Sequence, residues 1–270
     1  MSAAPGMGIL DIARVDRRSV VRRAFATSPL RWLTPRNHGP AAWVYASSYG
    51  GGLVGGDALR LTISVGAGAS AFVSSQASTK IYRSFDHTSA ELTATVSAGG
   101  HLVLWPDPVV CYAGSAFRQA QCVDLHEDAS LILVDTMTSG RRASGERWQF
   151  LEYANRITIR QDGRLVLFDS TRLSGAEGSL PARMGRFDVL SSVAIVGPRF
   201  RENVRAIAET IAARPIERRA DLLVSAAPLG ESGCLLRVIG RSTEEVAGVV
   251  RGCLSFLSCL LGDDPWTRKW

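Results

Sequence analysis

The residue types that most often carry chemistry are present in this chain, but not at the spacings that chemistry needs. Four histidines, His38, His87, His101 and His126, lie far apart and lack the HExxH or HxxxH spacing that sets two imidazoles on one helix face, so no preformed zinc-type site is readable. No GxSxG elbow occurs, and Ser78 and Lys80 share a strand face without any signature that lifts a Ser/Lys dyad above a surface pair. Gly50, Gly52 and Gly55 satisfy GxGxxG literally. Dinucleotide binding, however, needs a helix N-terminus after the glycines to hold the pyrophosphate, and here Leu59, Leu61, Ile63 and Val65 follow at strand period. The GK[ST] ending of a phosphate loop is missing too. Cys111, Cys122, Cys234, Cys253 and Cys259 form no CxxC pair, and an odd count without a secretory leader argues for reduced thiols in a cytosol. Together these spacings favour a protein that is not an enzyme and holds no cofactor tightly.

The elements that would position any site are mostly strands. From about residue 8 to 196, short alternating runs are separated by turn residues, among them Gly66 and Gly68, Gly99 and Gly100, and the Asp162–Gly163 hairpin signal. Expected strands cover 9–15, 19–27, 43–48, 58–65, 70–82, 91–97, 101–105, 116–125, 130–136, 149–160, 164–169 and 187–196. Such a chain must pack sheet on sheet, so the expected fold is mainly β, with layered antiparallel or β-helix-like sheets. After Gly197 the period changes. Val204, Ile207, Ala208 and Ile211 mark a helix over about 200–214, and two strand-like runs follow at 222–227 and 233–239. Ser242 and Glu245 form a capping box for a second helix to about 261, whose apolar residues Val246, Val250, Leu254, Leu257 and Leu261 make a wide stripe stopped by Gly262. The stripe suits either of two jobs, covering a sheet or meeting a helical partner. All 270 residues are expected to form one domain.

Composition narrows the partners. The net charge is +6, but the arginines are scattered, Lys80 and Lys269 are the only lysines, and no aromatic residues interleave with a basic stripe. That pattern speaks against nucleic acid. The opening residues carry only a short apolar patch broken by Asp11 and Arg14, and the apolar run 253–261 is about half a bilayer's span, so a soluble cytoplasmic protein without a membrane segment is expected.

One stretch remains that none of this explains, and it carries a resemblance. GGLVGGD over Gly51–Asp57, followed by SSQASTKIYRS over Ser74–Ser84, resembles the signature of the UreD (UreH) urease accessory protein family. Three further runs agree in order: LWPDPVVCYAGSAFRQ from Leu104, SGRRASGERWQF from Ser139 and GRLVLFDSTRLSG from Gly163. The signature residues are Gly51, Gly52, Gly55, Gly56, Lys80, Tyr82, Arg83 and Ser84. Ser74 and Ser75 replace common threonines, Ser78 replaces an alanine and Thr267 a proline, which leaves strand packing and the docking of the tail open.

The resemblance implies a non-catalytic maturation chaperone that binds the urease apoprotein and UreF, recruits the GTPase UreG through UreF, and helps to deliver nickel with carbon dioxide. Nickel would be in transit. Asp57, Asp107, Asp135, Glu146 and Asp169 stand at family-matched positions, and scattered carboxylates along an interior passage would hold a borderline ion weakly enough to release it. Each also has a plainer role, such as satisfying turn N–H groups, and Asp57 is expected to pair with Lys80 or Arg83. The helical stripe, with Trp266 and Trp270, would form the docking face. The competing classes are a β-sandwich binding module for carbohydrate or nucleic acid, and a metal-dependent hydrolase using the same acids. The six tryptophans show no common spacing that would build a sugar platform.

Overall fold

The computed structural model describes residues 4–36, 39–215, 217 and 219–266, so His38 and Trp270, and with Trp270 the departure at Thr267, lie outside the described residues. Fourteen strands run first: β1 (Met7–Val15), β2 (Arg18–Ala26), β3 (Leu30–Leu33), β4 (Ala42–Ser48), β5 (Ala58–Val65), β6 (Ser70–Ser75), β7 (Thr79–Ile81), β8 (Thr88–Val96), β9 (His101–Trp105), β10 (Val109–Cys111), β11 (Ala116–Leu125), β12 (Ser130–Thr138), β13 (Glu152–Gln161) and β14 (Arg164–Ser174). Then come α1 (Leu180–Met184), β15 (Val189–Val196), α2 (Arg201–Ala212), β16 (Leu222–Pro228), β17 (Gly233–Gly240), α3 (Thr243–Cys253) and α4 (Leu257–Leu261).

The strands form two sheets. A seven-stranded sheet has the order β14-β13-β11-β8-β5-β1-β2, and a ten-stranded sheet runs β16-β17-β15-β12-β9-β6-β4-β3, with β10 bridging β12 and β7. From β4 to β13 the chain passes back and forth between the sheets, so neighbours within each sheet are parallel: β1, β5, β8, β11 and β13 in one, and β4, β6, β9 and β12 in the other. This winding is the β-helix-like part of the expectation. Antiparallel pairs are confined to the flanks, at β1–β2, β3–β4, β13–β14 and β12–β15–β17–β16. Alternation alone does not distinguish the two pairings, because both put every second side chain inward.

Leu10, Ile12, Ile63, Val65, Val123, Leu131, Leu133 and Ile157 fill the space between the sheets. On the far side of the ten-stranded sheet, Trp43, Phe72, Val103, Ile132, Val193 and Leu236 pack under the helices. A third cluster, including Leu53, Ile81, Phe117, Met137, Trp148 and Tyr153, closes one end.

Several boundaries differ from the sequence reading. The run 70–82 is broken into β6 and β7 by a bend at Gln76–Ala77, just past the last rung to β4, in which Gln76 N–H donates to Ala46 O at 2.8 Å. Strands β3 and β10 and helix α1 are additional. The single long C-terminal helix is two, α3 and α4, with a turn at Leu254–Phe256 that lets Leu254, Leu257 and Leu261 all reach the core. Gly248 and Gly252 weaken the helix just before that turn. Among the described residues no helix is long and apolar enough to cross a membrane.

Candidate functional site between the sheets

The glycine-rich segment and the run ending in Tyr82–Arg83–Ser84 are two halves of one structure. Leu53 N–H donates to Lys80 O at 2.8 Å and Tyr82 N–H donates to Leu53 O at 2.9 Å. Any Cβ on Gly52 would meet Tyr82 Cε2 at 2.5 Å and Lys80 O at 2.7 Å, and one on Gly55 would meet Ser84 Oγ at 2.5 Å. Gly51 and Gly56 instead have φ of 73° and 87°, the left-handed region. No helix follows the glycines; the next element is β5. Asp57 closes this turn itself, accepting from Val54 N–H at 2.9 Å, and among the described residues it has no ion pair with Lys80 or Arg83. The expected pair is therefore absent, because the nearer backbone N–H takes the carboxylate.

The five candidate carboxylates do not gather in one place. Asp107 bonds Ser75 twice, accepting from its hydroxyl at 3.0 Å and donating its N–H at 2.7 Å, while Ser74 donates to Trp105 O at 2.6 Å. Serines at 74 and 75 thus still tie β6 to the end of β9. Glu146 pairs with Arg141 and accepts from Ala113 N–H at 3.1 Å, contacts that hold its carboxyl below the usual range. Nearby, Arg147 and Arg142 clasp the buried Asp188 at 2.5 and 3.0 Å. These contacts fold the 139–150 loop around Glu146, while Asp107 lies in the connection from β9 to β10.

Asp135 and Asp169 are different. Asp135 lies on the inner face of β12, 7 % exposed, and its carboxylate accepts four hydrogen bonds from the facing sheet. The donors are Gln119 Nε2 at 2.8 Å, Gln121 Nε2 at 3.2 Å, Asn155 Nδ2 at 2.9 Å and Tyr153 OH at 3.2 Å. All four donors are neutral. Burial pushes the Asp135 carboxyl up, and the four donors oppose that shift. The Tyr153 phenol is raised as well, first by burial and then by the Asp135 charge. Asp169, in β14 at the sheet's edge, is held by Arg237 of β17 at 2.6 Å. The geometry is a row: Asp135, Ser192 and Arg237 are in register on β12, β15 and β17, and Gln121, Ile157 and Asp169 are in register on β11, β13 and β14. On the other side, Gln119 and Gln121 also line a cavity of about 140 Å³ between the sheets, with Leu61, Ile63, Val73 and Leu104. A cation seated here would meet a carboxylate backed by neutral amides and a phenol, an oxygen-only set of moderate strength.

Gln119, Gln121, Tyr153, Asn155, Ser192 and Arg237 escape a reading by motif. A signal for them does exist. The inner-face positions of β11 read Phe117, Gln119, Gln121, Val123, Leu125, so two amides interrupt an apolar face opposite a lone aspartate in LILVDTMT.

The stripe of α3 and α4 faces inward. Val246, Val250, Leu254, Leu257 and Leu261 are at most 2 % exposed and pack on the ten-stranded sheet. They are core and not a docking face, which corrects the partner-binding expectation for all five. The physical reason is that the outer face of that sheet is itself apolar and has no other cover. Trp266 is half-buried, its ring 4.1 Å from that of Trp105 and beneath the Arg251 guanidinium at 4.7 Å. His101 bonds Ser70 Oγ at 3.3 Å and His87 is exposed. His126 sits with Glu127 and Asp128 in an exposed turn, their ligand atoms within 4.8 Å of one another, an arrangement common without an ion.

A family model described as UreD urease accessory protein matches residues 5–270. The chain belongs to the UreD family. It is 53 % identical to the urease accessory protein UreD of Sorangium cellulosum, over 98 % of this chain and 84 % of that one. It is 44 % identical to the UreD of Anaeromyxobacter, covering 97 % and 89 %. The urease accessory protein D of indica rice is 32 % identical, over 98 % of this chain and 96 % of its own. The resemblance first carried by the glycine signature therefore extends over nearly the whole UreD chain.

Proposed function

We propose that this protein is a urease maturation chaperone, a scaffold without a reaction centre of its own that binds the urease apoprotein and assists nickel insertion. The UreD match across residues 5–270 is the observation that carries this reading. In the finer form, UreF docks on this chain, the GTPase UreG joins through UreF, and GTP turnover on UreG drives metal release into urease. GTP would be bound by that partner, since the glycine segment here leads into β5 and offers no helix N-terminus to a phosphate.

Nickel, the cargo, passes between the sheets along Asp169 and Asp135. Asp135 suits a relay. Only neutral groups hold its carboxyl, so a metal displaces no protein cation there, yet four donors compete with the metal and keep residence short. The cytoplasm is the expected compartment. Expressing a urease gene cluster with and without this chain tests the role. Apo-urease that gains nickel only with the chain, and that is recovered with it in pull-downs, is the expected result. Full metallation without it would remove the proposal.

A further inference from the structure

The ion pair at the end of the polar row deepens this reading and rests on it. Asp169 and Arg237 belong to different sheets, β14 at the edge of one and β17 next to the edge of the other. The Arg237 Nη2–Asp169 Oδ1 distance of 2.6 Å spans the gap between them. The Asp169 side chain is 11 % exposed while that of Arg237 is 51 % exposed, so the carboxylate faces inward and the guanidinium sits at the rim. Arg237 also shares its inward face with Asp135, two strands away in register, roughly 10 Å at ordinary strand spacing. Between them stands only Ser192, which is uncharged.

We propose that Arg237 is the gate of this row: the guanidinium occupies Asp169 as a built-in cation, and a divalent ion enters by displacing it. Two carboxylates in one interior row bear very different loads. Asp135 has only neutral donors, whereas Asp169 carries a full positive partner, so an arriving ion competes with a cation at the rim and with none inside. A single positive charge at the rim also sets selectivity. A monovalent ion gains no more from Asp169 than the guanidinium does, while a divalent ion gains more from the same carboxylate. The pair is also the movable one. Arg237 is half in water and pivots on a long side chain, and among the described residues Asp169 alone bonds its guanidinium.

The test is calorimetric titration of the full chain with nickel(II). Arg237→Gln should bind nickel about tenfold more tightly than wild type, because no charge must be displaced, and Arg237→Lys, which keeps the charge, should stay close to wild type. The gain should vanish in Arg237→Gln/Asp169→Asn. Equal affinity in Arg237→Gln and wild type, equal shifts in the Gln and Lys variants, or no binding by any variant would overturn the gate. Arg237→Gln/Asp135→Asn separates the two ideas. Loss of part of the gain there supports the row as a path, whereas a gain retained in full keeps the gate at Asp169 and removes the interior path.

Discussion

At Gly52 the backbone is extended, with φ of 174°, so the glycine is there for room and not for an unusual torsion. Gly50 is the reverse case, with φ of 82° and nothing within 4 Å of an added Cβ. The two substitutions should therefore differ in kind. Gly52→Ala forces a methyl against Tyr82 and the Lys80 carbonyl and should destabilise by about 1–3 kcal/mol or more. Gly50→Ala meets only the left-handed torsion cost of about 1 kcal/mol. Urea unfolding midpoints measure both, and equal effects would contradict the close approach. A second residue-scale prediction concerns Asp135. Its folded-state carboxyl is raised by burial, so the folded protein holds the proton more tightly than the unfolded chain. Stability from this group is thus greatest at low pH and falls as pH rises from the ordinary carboxylate range through the raised value. Asp135→Asn removes that slope, and the difference between wild-type and variant stability should change with pH in this sense. A parallel pair of pH profiles would contradict it.

Among the elements, α3 and α4 decide how the C-terminal region works. Leu254 is fully buried between helix and sheet, and Leu254→Ala should cost about 2–5 kcal/mol by denaturant unfolding. A loss below 1 kcal/mol would mean that the stripe is not core. This is also where the sequence was ambiguous. A wide apolar stripe has the same period whether it covers a sheet of its own chain or a partner, and only the apolar outer face of β4, β6, β9, β12 and β15 resolves the choice. Strands 58–65, 101–105 and 116–125 were legible because alternation is a local property. Their parallel pairing was not, since register arises from stacking successive coils and leaves no local mark. The three-residue strands β7 and β10 carry too little pattern to read, and they exist because β10 fills the space between β7 and β12.

For the whole molecule, the two sheets bring together polar residues that the chain keeps far apart. Asp135 and Asp169 were visible as family-matched acids, but the sequence could not separate them from Asp57, Asp107 and Glu146, since all five are carboxylates at family-matched positions. Three-dimensional position separates them. Asp57 closes a turn, Asp107 braces the end of β9 and Glu146 staples a loop, while the other two face the inter-sheet space. The amides and the phenol that hold Asp135 are contributed by the opposite sheet, so they became recognisable only once β11 and β13 were placed over β12.

The most direct measurement is the nickel content of urease matured with the Asp135→Asn/Asp169→Asn double variant, read by plasma mass spectrometry alongside a pull-down of the chain with apo-urease. The account predicts that the complex forms in normal yield while nickel per urease site falls by about tenfold or more. Urease that is fully metallated by the double variant would contradict a path between the sheets.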